Sequence, residues 1–103
     1  MKPFTVIQCD GSYKTYVGKP TLEELQEFVG GYIEHVSVRW HGRKITAYVN
    51  EEGKLLNLGF NPKATALMNN TRDEPYEDLS QDPPNLPWER DWIAGPMVVM
   101  SEP

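Results

Sequence analysis

Residues 32–50, YIEHVSVRWHGRKITAYVN, constrain the fold most strongly because they encode a β-hairpin with a defined register. His41 and Gly42 suit a two-residue loop, which would place Val38 opposite Ile45. Side chains alternate between the two faces of a strand, so this register gathers the apolar side chains on one face. A slip of one residue would bury the polar side chains instead, so the pattern predicts this pairing and a core on the apolar face. The apolar set is Val36, Val38, Trp40, Ile45, Ala47 and Val49.

The other face of the predicted hairpin is polar. Its cations could bind a phosphate-bearing ligand, and Tyr48 could stack on a base. The alternative is that this face is simply the hydrated side of an antiparallel sheet, which needs polar residues in any case. The polar set is His35, Ser37, Arg39, Lys44, Thr46 and Tyr48. Arg39, Arg43 and Lys44 also surround Trp40, but the net charge of −5 argues against direct binding of nucleic acid.

The remaining elements follow from turn, cap and periodicity signals. The predicted strands are 3–9, 12–17, 32–40, 43–50 and 96–101, and the predicted helices are 21–29 and 62–69. This order, ββ-α-ββ-α-β, predicts an α+β fold with a mainly antiparallel or mixed sheet. We expect both helices to pack on one face of that sheet.

Two features around the second helix have competing interpretations. Gly53 suits a turn position that needs a positive φ. Asn61 before Pro62 is typical of a helix N-cap, and a pure cap predicts that Asn61→Asp is tolerated. The same helix end could instead hold an anion, helped by Lys63 and Thr65. We favour the cap for Asn61.

The acidity of the chain is concentrated in residues 72–91, which carry seven acidic and two basic residues. Four of the nine prolines also lie there, so the segment cannot be a regular helix or a central strand. We interpret residues 71–92 as a surface insertion. Its acidic residues could imitate phosphates toward a partner protein, with the tryptophans as anchors, or the tryptophans could dock the segment onto the core. The candidate partner-binding residues are Asp73, Glu74, Glu77, Asp78, Trp88 and Trp92.

Composition narrows the class of protein. A chain of 103 residues predicts one domain, residues 1–103. The single cysteine excludes an internal disulfide, and the spacing of potential ligands predicts neither a metal site nor a cofactor. No combination of nucleophile and base is visible, so we expect no enzymatic activity.

Without a long apolar run we expect no membrane contact and a cytoplasmic location. An open sheet edge would permit a homodimer.

Three blocks of the sequence carry a family resemblance. GGYIEHVSV, YVNEEGKLLNLGFNPKATALM and IAGPMVVM resemble domain-of-unknown-function family 3846 over roughly residues 28–70 and 93–100. That family is found mainly in bacteriophages and other mobile elements of bacteria. The resemblance therefore implies a phage accessory protein in a bacterial cytoplasm, and it supplies no catalytic residues. The acidic segment departs from the resemblance.

The candidate residues and the family resemblance lead to two hypotheses about function, from different classes. The first is a non-enzymatic protein that binds and sequesters a nucleotide-like small molecule, such as a bacterial defence signal. Its pocket would combine the polar hairpin face with the Asn61 helix end. The second is a protein-binding inhibitor of a host nucleic-acid-binding or defence enzyme, acting through the acidic segment. We favour the first because the specific part of the resemblance lies in the hairpin and helix block.

Overall fold

The computed structural model of the protein describes residues 2–70, 75–83 and 91–102. The strands are β1 (Pro3–Ile7), β2 (Tyr13–Val17), β3 (Ile33–Trp40), β4 (Arg43–Asn50) and β5 (Met97–Val99), and the helices are α1 (Leu22–Val29) and α2 (Pro62–Met68). The predicted ββ-α-ββ-α-β order and the α+β class are confirmed.

The strands form one antiparallel sheet in the order β2-β1-β5-β4-β3. Strand β5 lies in the centre, between β1 and β4, although it comes last in the sequence. All three of its residues are fully buried, because both faces of a central strand are covered. The short apolar run at the C-terminal end therefore holds the two hairpins together.

The β3–β4 hairpin has the register predicted from its sequence. Val38 lies opposite Ile45 and Trp40 lies opposite Arg43. The loop residues His41 and Gly42 have φ values of 52° and 77°, as a two-residue hairpin loop of type I′ requires. The apolar face of the hairpin is buried as expected.

The two helices lie on opposite faces of the sheet, so the prediction that both pack on one face is wrong. Leu25 and Val29 of α1 pack in a cluster with Phe4 of β1. Leu67 of α2 packs in the other cluster with Val38. The physical reason is that β1 and β5 are apolar on both faces, so each face needs a cover. In the hairpin only one face is apolar, and this pattern suggested that only one face of the whole sheet would be covered by helices.

The connection between β4 and α2 also differs from expectation. Residues 54–57 form turns, and the backbone becomes extended only near Phe60, which bridges Ala94. Gly53 does not have a positive φ. A Cβ at this position would lie 2.4 Å from the carbonyl oxygen of Ala94, so glycine is required there for a close backbone approach.

The acidic, proline-rich segment is partly built into the core. Tyr76 and Leu79 are buried in the cluster on the α2 face, so the prediction of a surface insertion is wrong for these two residues. The indole nitrogen of Trp40 donates a hydrogen bond of 2.9 Å to the carbonyl oxygen of Glu77. Proline removes a backbone donor but does not prevent neighbouring side chains from packing.

Candidate functional site

The polar face of the β3–β4 hairpin forms a continuous strip, which we call the polar strip. His35 lies opposite Tyr48 with ring centroids 6.3 Å apart, and Arg39 lies opposite Lys44. The pair between them is formed by Ser37 and Thr46. Helix α1 packs on the same face of the sheet and contacts Tyr48, whereas His35, Ser37 and Lys44 are exposed. The strip is therefore bordered by the helix at one end and open at the other.

The cations at the open end of the polar strip have no acidic partner among the residues that the structure describes. Arg39 and Lys44 face each other across the two strands, an arrangement in which like charges repel. Among the described residues the only ion pair is Lys54–Asp91, and both of these line a pocket on the α2 face. A bound anion would relieve the repulsion between Arg39 and Lys44.

A pocket of about 400 Å³ adjoins this end of the strip, and we call it the cationic pocket. It opens where β5 has ended, between the beginning of β1 and the beginning of β4. Lys2, Arg43 and Lys44 line it, and Glu102 is the only acidic residue among its described lining residues. The hydroxyl group of Thr5 donates a hydrogen bond of 2.7 Å to the carbonyl oxygen of Ser101, which holds one wall in place.

The sequence did not reveal this pocket. Lys2 and Arg43 are far apart in the chain, and no local pattern links them. They come together only because β5 lies between β1 and β4 and stops early.

The residues at the beginning of α2 make their polar contacts inside the protein. The Asn61 side-chain oxygen accepts a hydrogen bond of 3.1 Å from the backbone nitrogen of Ala64, which confirms the predicted N-cap. The Asn61 amide nitrogen donates to the carbonyl oxygens of Ile7 and Gly95, at 3.1 and 3.0 Å. Asn61 is fully buried, so the residue joins α2 to the ends of two strands.

Lys63 and Thr65 are buried as well. The Lys63 ammonium group donates to the carbonyl oxygens of Gly11 and Leu79 and lies 5.3 Å from the centroid of the Tyr13 ring. The Thr65 hydroxyl oxygen accepts a hydrogen bond of 2.9 Å from the backbone nitrogen of Ile93. These contacts belong to the α2 face of the sheet, whereas the polar strip lies on the α1 face. The polar strip and the Asn61 helix end therefore do not form one pocket.

Comparison with known proteins gives one result. A family model described as a domain of unknown function, DUF3846, matches residues 1–103. The chain belongs to the DUF3846 family. The match extends the resemblance of the hairpin and helix block to the whole chain, including the acidic segment. No curated protein and no solved structure matches the chain.

The DUF3846 description assigns no enzymatic activity. Within residues 2–70, 75–83 and 91–102, no group of three or more His, Cys, Asp or Glu side chains is placed to hold a metal ion. No helix in the same ranges is both long enough and apolar enough to cross a membrane.

The candidate partner-binding residues in the acidic segment of this DUF3846 chain differ in their contacts and burial. Asp78 accepts hydrogen bonds from the backbone nitrogen and the hydroxyl group of Ser80, and these bonds hold the pKa of its carboxyl group below the usual value. The Trp92 ring lies 5.9 Å from the Phe60 ring and 5.0 Å from the Lys54 ammonium group. The other candidates are Glu77, which is half-buried, and Asp73, Glu74 and Trp88, which lie outside the described residues.

Proposed function

We propose that this DUF3846 protein binds and sequesters a nucleotide-like small molecule without converting it. The observation that carries the proposal is that four cations lie along one end of the sheet. Arg39 and Lys44 end the polar strip, and the cationic pocket adds Lys2 and Arg43. On a chain with a net charge of −5, this end of the sheet favours an anionic ligand over the general surface.

The order of side chains along the polar strip suits the parts of a nucleotide. His35 and Arg39 are four residues apart on one strand, a separation of about 13 Å. Phosphate groups would lie beside Arg39 and Lys44 or in the cationic pocket, where guanidinium and ammonium groups donate charge-assisted hydrogen bonds. Ser37 and Thr46 would face the sugar hydroxyl groups. The base would lie against the His35 and Tyr48 rings, because any base can stack on an aromatic face.

The biological setting of the proposal comes from the family resemblance. A phage accessory protein in a bacterial cytoplasm would meet nucleotide-like signals of host defence, and tight binding would lower their free concentration. Catalysis is not needed for this role. The residues of the polar strip and the cationic pocket supply charge, hydroxyl groups and rings, which are sufficient for capture.

Isothermal titration calorimetry with mononucleotides, cyclic mononucleotides and cyclic dinucleotides tests the proposal. We expect at least one of these probes to bind. Arg39→Gln and Lys44→Gln should each weaken its binding by about tenfold or more, because each removes a charge-assisted hydrogen bond. Lys19→Gln is the matched control, since Lys19 is an exposed lysine in the linker before α1. Binding should also weaken as salt concentration rises.

Three results would count against the proposal. The first is no binding of any probe at millimolar concentration. The second is binding that Lys19→Gln weakens as much as Arg39→Gln does. The third is recovery of a chemically altered ligand after incubation, measured by mass spectrometry, which would indicate an enzyme and not a sequestering protein.

A further inference from the structure

A second pocket opens on the face of the sheet opposite the polar strip, beside the outer edge of β3. Its volume is about 370 Å³, and its floor is apolar, with Val36, Met68 and Ile93 among the lining residues. Three glutamates, Glu34, Glu51 and Glu52, also line it. We call it the acidic pocket.

The charges of the acidic pocket favour a cationic occupant. Its glutamates are exposed, and none of them has an ion-pair partner in the described part of the chain. Lys54 lines the pocket too, but its ammonium group lies 2.6 Å from the Asp91 carboxylate. An apolar floor beneath unpaired carboxylates matches the side chain of lysine or arginine, which has an aliphatic stem and a charged end.

The backbone of β3 offers a second means of binding at the same place. The antiparallel register directs the amide and carbonyl groups of Glu34, Val36 and Val38 toward β4, so those of His35 and Ser37 point away from the sheet. Strand β3 is at the edge of the sheet. Along that edge the described residues supply one side-chain donor, the Asn70 amide nitrogen, to the carbonyl oxygen of Arg39 at 2.8 Å.

Exposed apolar side chains lie next to the acidic pocket. Leu55 lines the pocket and is 85% exposed, and the adjacent Leu56 is 53% exposed. Tyr32 is 70% exposed, and its carbonyl oxygen accepts a hydrogen bond from the backbone nitrogen of Glu51 on the pocket rim. Large exposed apolar side chains grouped beside a pocket are typical of a surface that contacts another protein.

We propose that this surface binds an extended segment of a partner protein, which pairs with the outer edge of β3 and places a lysine or arginine side chain in the acidic pocket. Backbone pairing with His35 and Ser37 would supply affinity, and the charged pocket would supply specificity. Because side chains alternate along a strand, every second residue of the segment would lie on the pocket side, beside Glu34 and Val36. The segment would use only the backbone of His35 and Ser37, whose side chains belong to the polar strip on the other face. The proposal does not depend on the proposed nucleotide binding.

A designed peptide tests this proposal. The probe is a fluorescently labelled, capped peptide of alternating threonine and valine with one central arginine, and the control peptide has glutamate in its place. We expect the arginine peptide to bind in fluorescence polarisation and the glutamate peptide to bind at least about tenfold more weakly. Binding should also slow hydrogen exchange of the His35 and Ser37 amides, measured by NMR.

Variants separate the pocket from general electrostatic attraction. Glu34→Gln combined with Glu51→Gln and Glu52→Gln should weaken binding of the arginine peptide by about tenfold or more. Glu23→Gln combined with Glu27→Gln, on the exposed side of α1, should leave its binding unchanged.

Equal binding of the two peptides would overturn the proposal, as would the absence of binding at millimolar concentration. Argininamide that binds as tightly as the peptide would show a site for small cations alone. Protection of the His35 and Ser37 amides without peptide, together with a dimer in sedimentation, would show a second copy of the chain as the occupant.

Discussion

At the residue scale, the buried amide of Asn61 does more than a helix cap requires. A cap needs only the side-chain oxygen, but the Asn61 nitrogen also donates to Ile7 and Gly95. An aspartate could still cap Ala64 but would turn an acceptor toward two carbonyl oxygens. The expectation that Asn61→Asp is tolerated is therefore replaced by its opposite, for a reason unrelated to ligand binding.

We predict that Asn61→Ala lowers the free energy of unfolding by about 2 kcal/mol through the lost cap and the unpaired carbonyl groups. Asn61→Asp should lower it by about 4 kcal/mol, because it buries an unpaired charge. Urea denaturation at neutral pH measures both. An aspartate variant as stable as the native protein would show that the Asn61 nitrogen contributes nothing.

Tyr76 gives a prediction about pH. Burial, with smaller contributions from Asp78 and Asp82, raises the pKa of its hydroxyl group from its usual value of 10.0 to about 12. The folded protein thus keeps this proton after the unfolded chain has lost it, so stability falls as pH rises from 10 toward 12. Tyr76→Phe lacks the proton and should show a shallower loss over this range, measured by chemical denaturation. Parallel curves for the two proteins would contradict the raised pKa.

At the element scale, the connection from β4 to α2 depends on one glycine whose role is steric. We predict that Gly53→Ala lowers the free energy of unfolding by about 3 kcal/mol, because its Cβ would lie 2.4 Å from the carbonyl oxygen of Ala94. Gly42→Ala is the matched control. Gly42 has a positive φ but open space around it, so the cost should be about 1 kcal/mol. Thermal or urea denaturation that ranks the two variants in reverse order would refute the close-approach role.

At the scale of the whole molecule, the sheet separates two cores, one under each helix. We predict that Val29→Ala and Val38→Ala, on opposite faces, each lower the free energy of unfolding by about 2 kcal/mol. Their effects should add to within about 0.5 kcal/mol. Val38→Ala with Ile45→Ala is the contrasting pair, since these side chains are cross-strand neighbours and should couple. Coupling across the sheet as large as coupling within the hairpin would indicate one shared core.

Local chemistry in the sequence determined the hairpin, the caps and the order of elements. Period-2 alternation and a loop that needs a positive φ specify the pairing of Val38 with Ile45, and both signals lie within a few residues of each other. For the same reason the polar strip could be predicted, because its residues belong to one hairpin. Asn61 as an N-cap was also predictable, because its acceptor contacts a backbone group three residues away.

Only the tertiary structure decided the features that join distant parts of the chain. The central place of β5 put the helices on opposite faces and opened the cationic pocket between Lys2 and Arg43. Gly53 and Ala94 approach each other across 41 positions of the chain, so glycine in a turn-rich stretch suggested a turn and not a close contact. The burial of Tyr76 and Leu79 likewise depends on space left beside Trp40 and α2. Such contacts depend on the shape of the whole fold, which short-range sequence patterns do not encode.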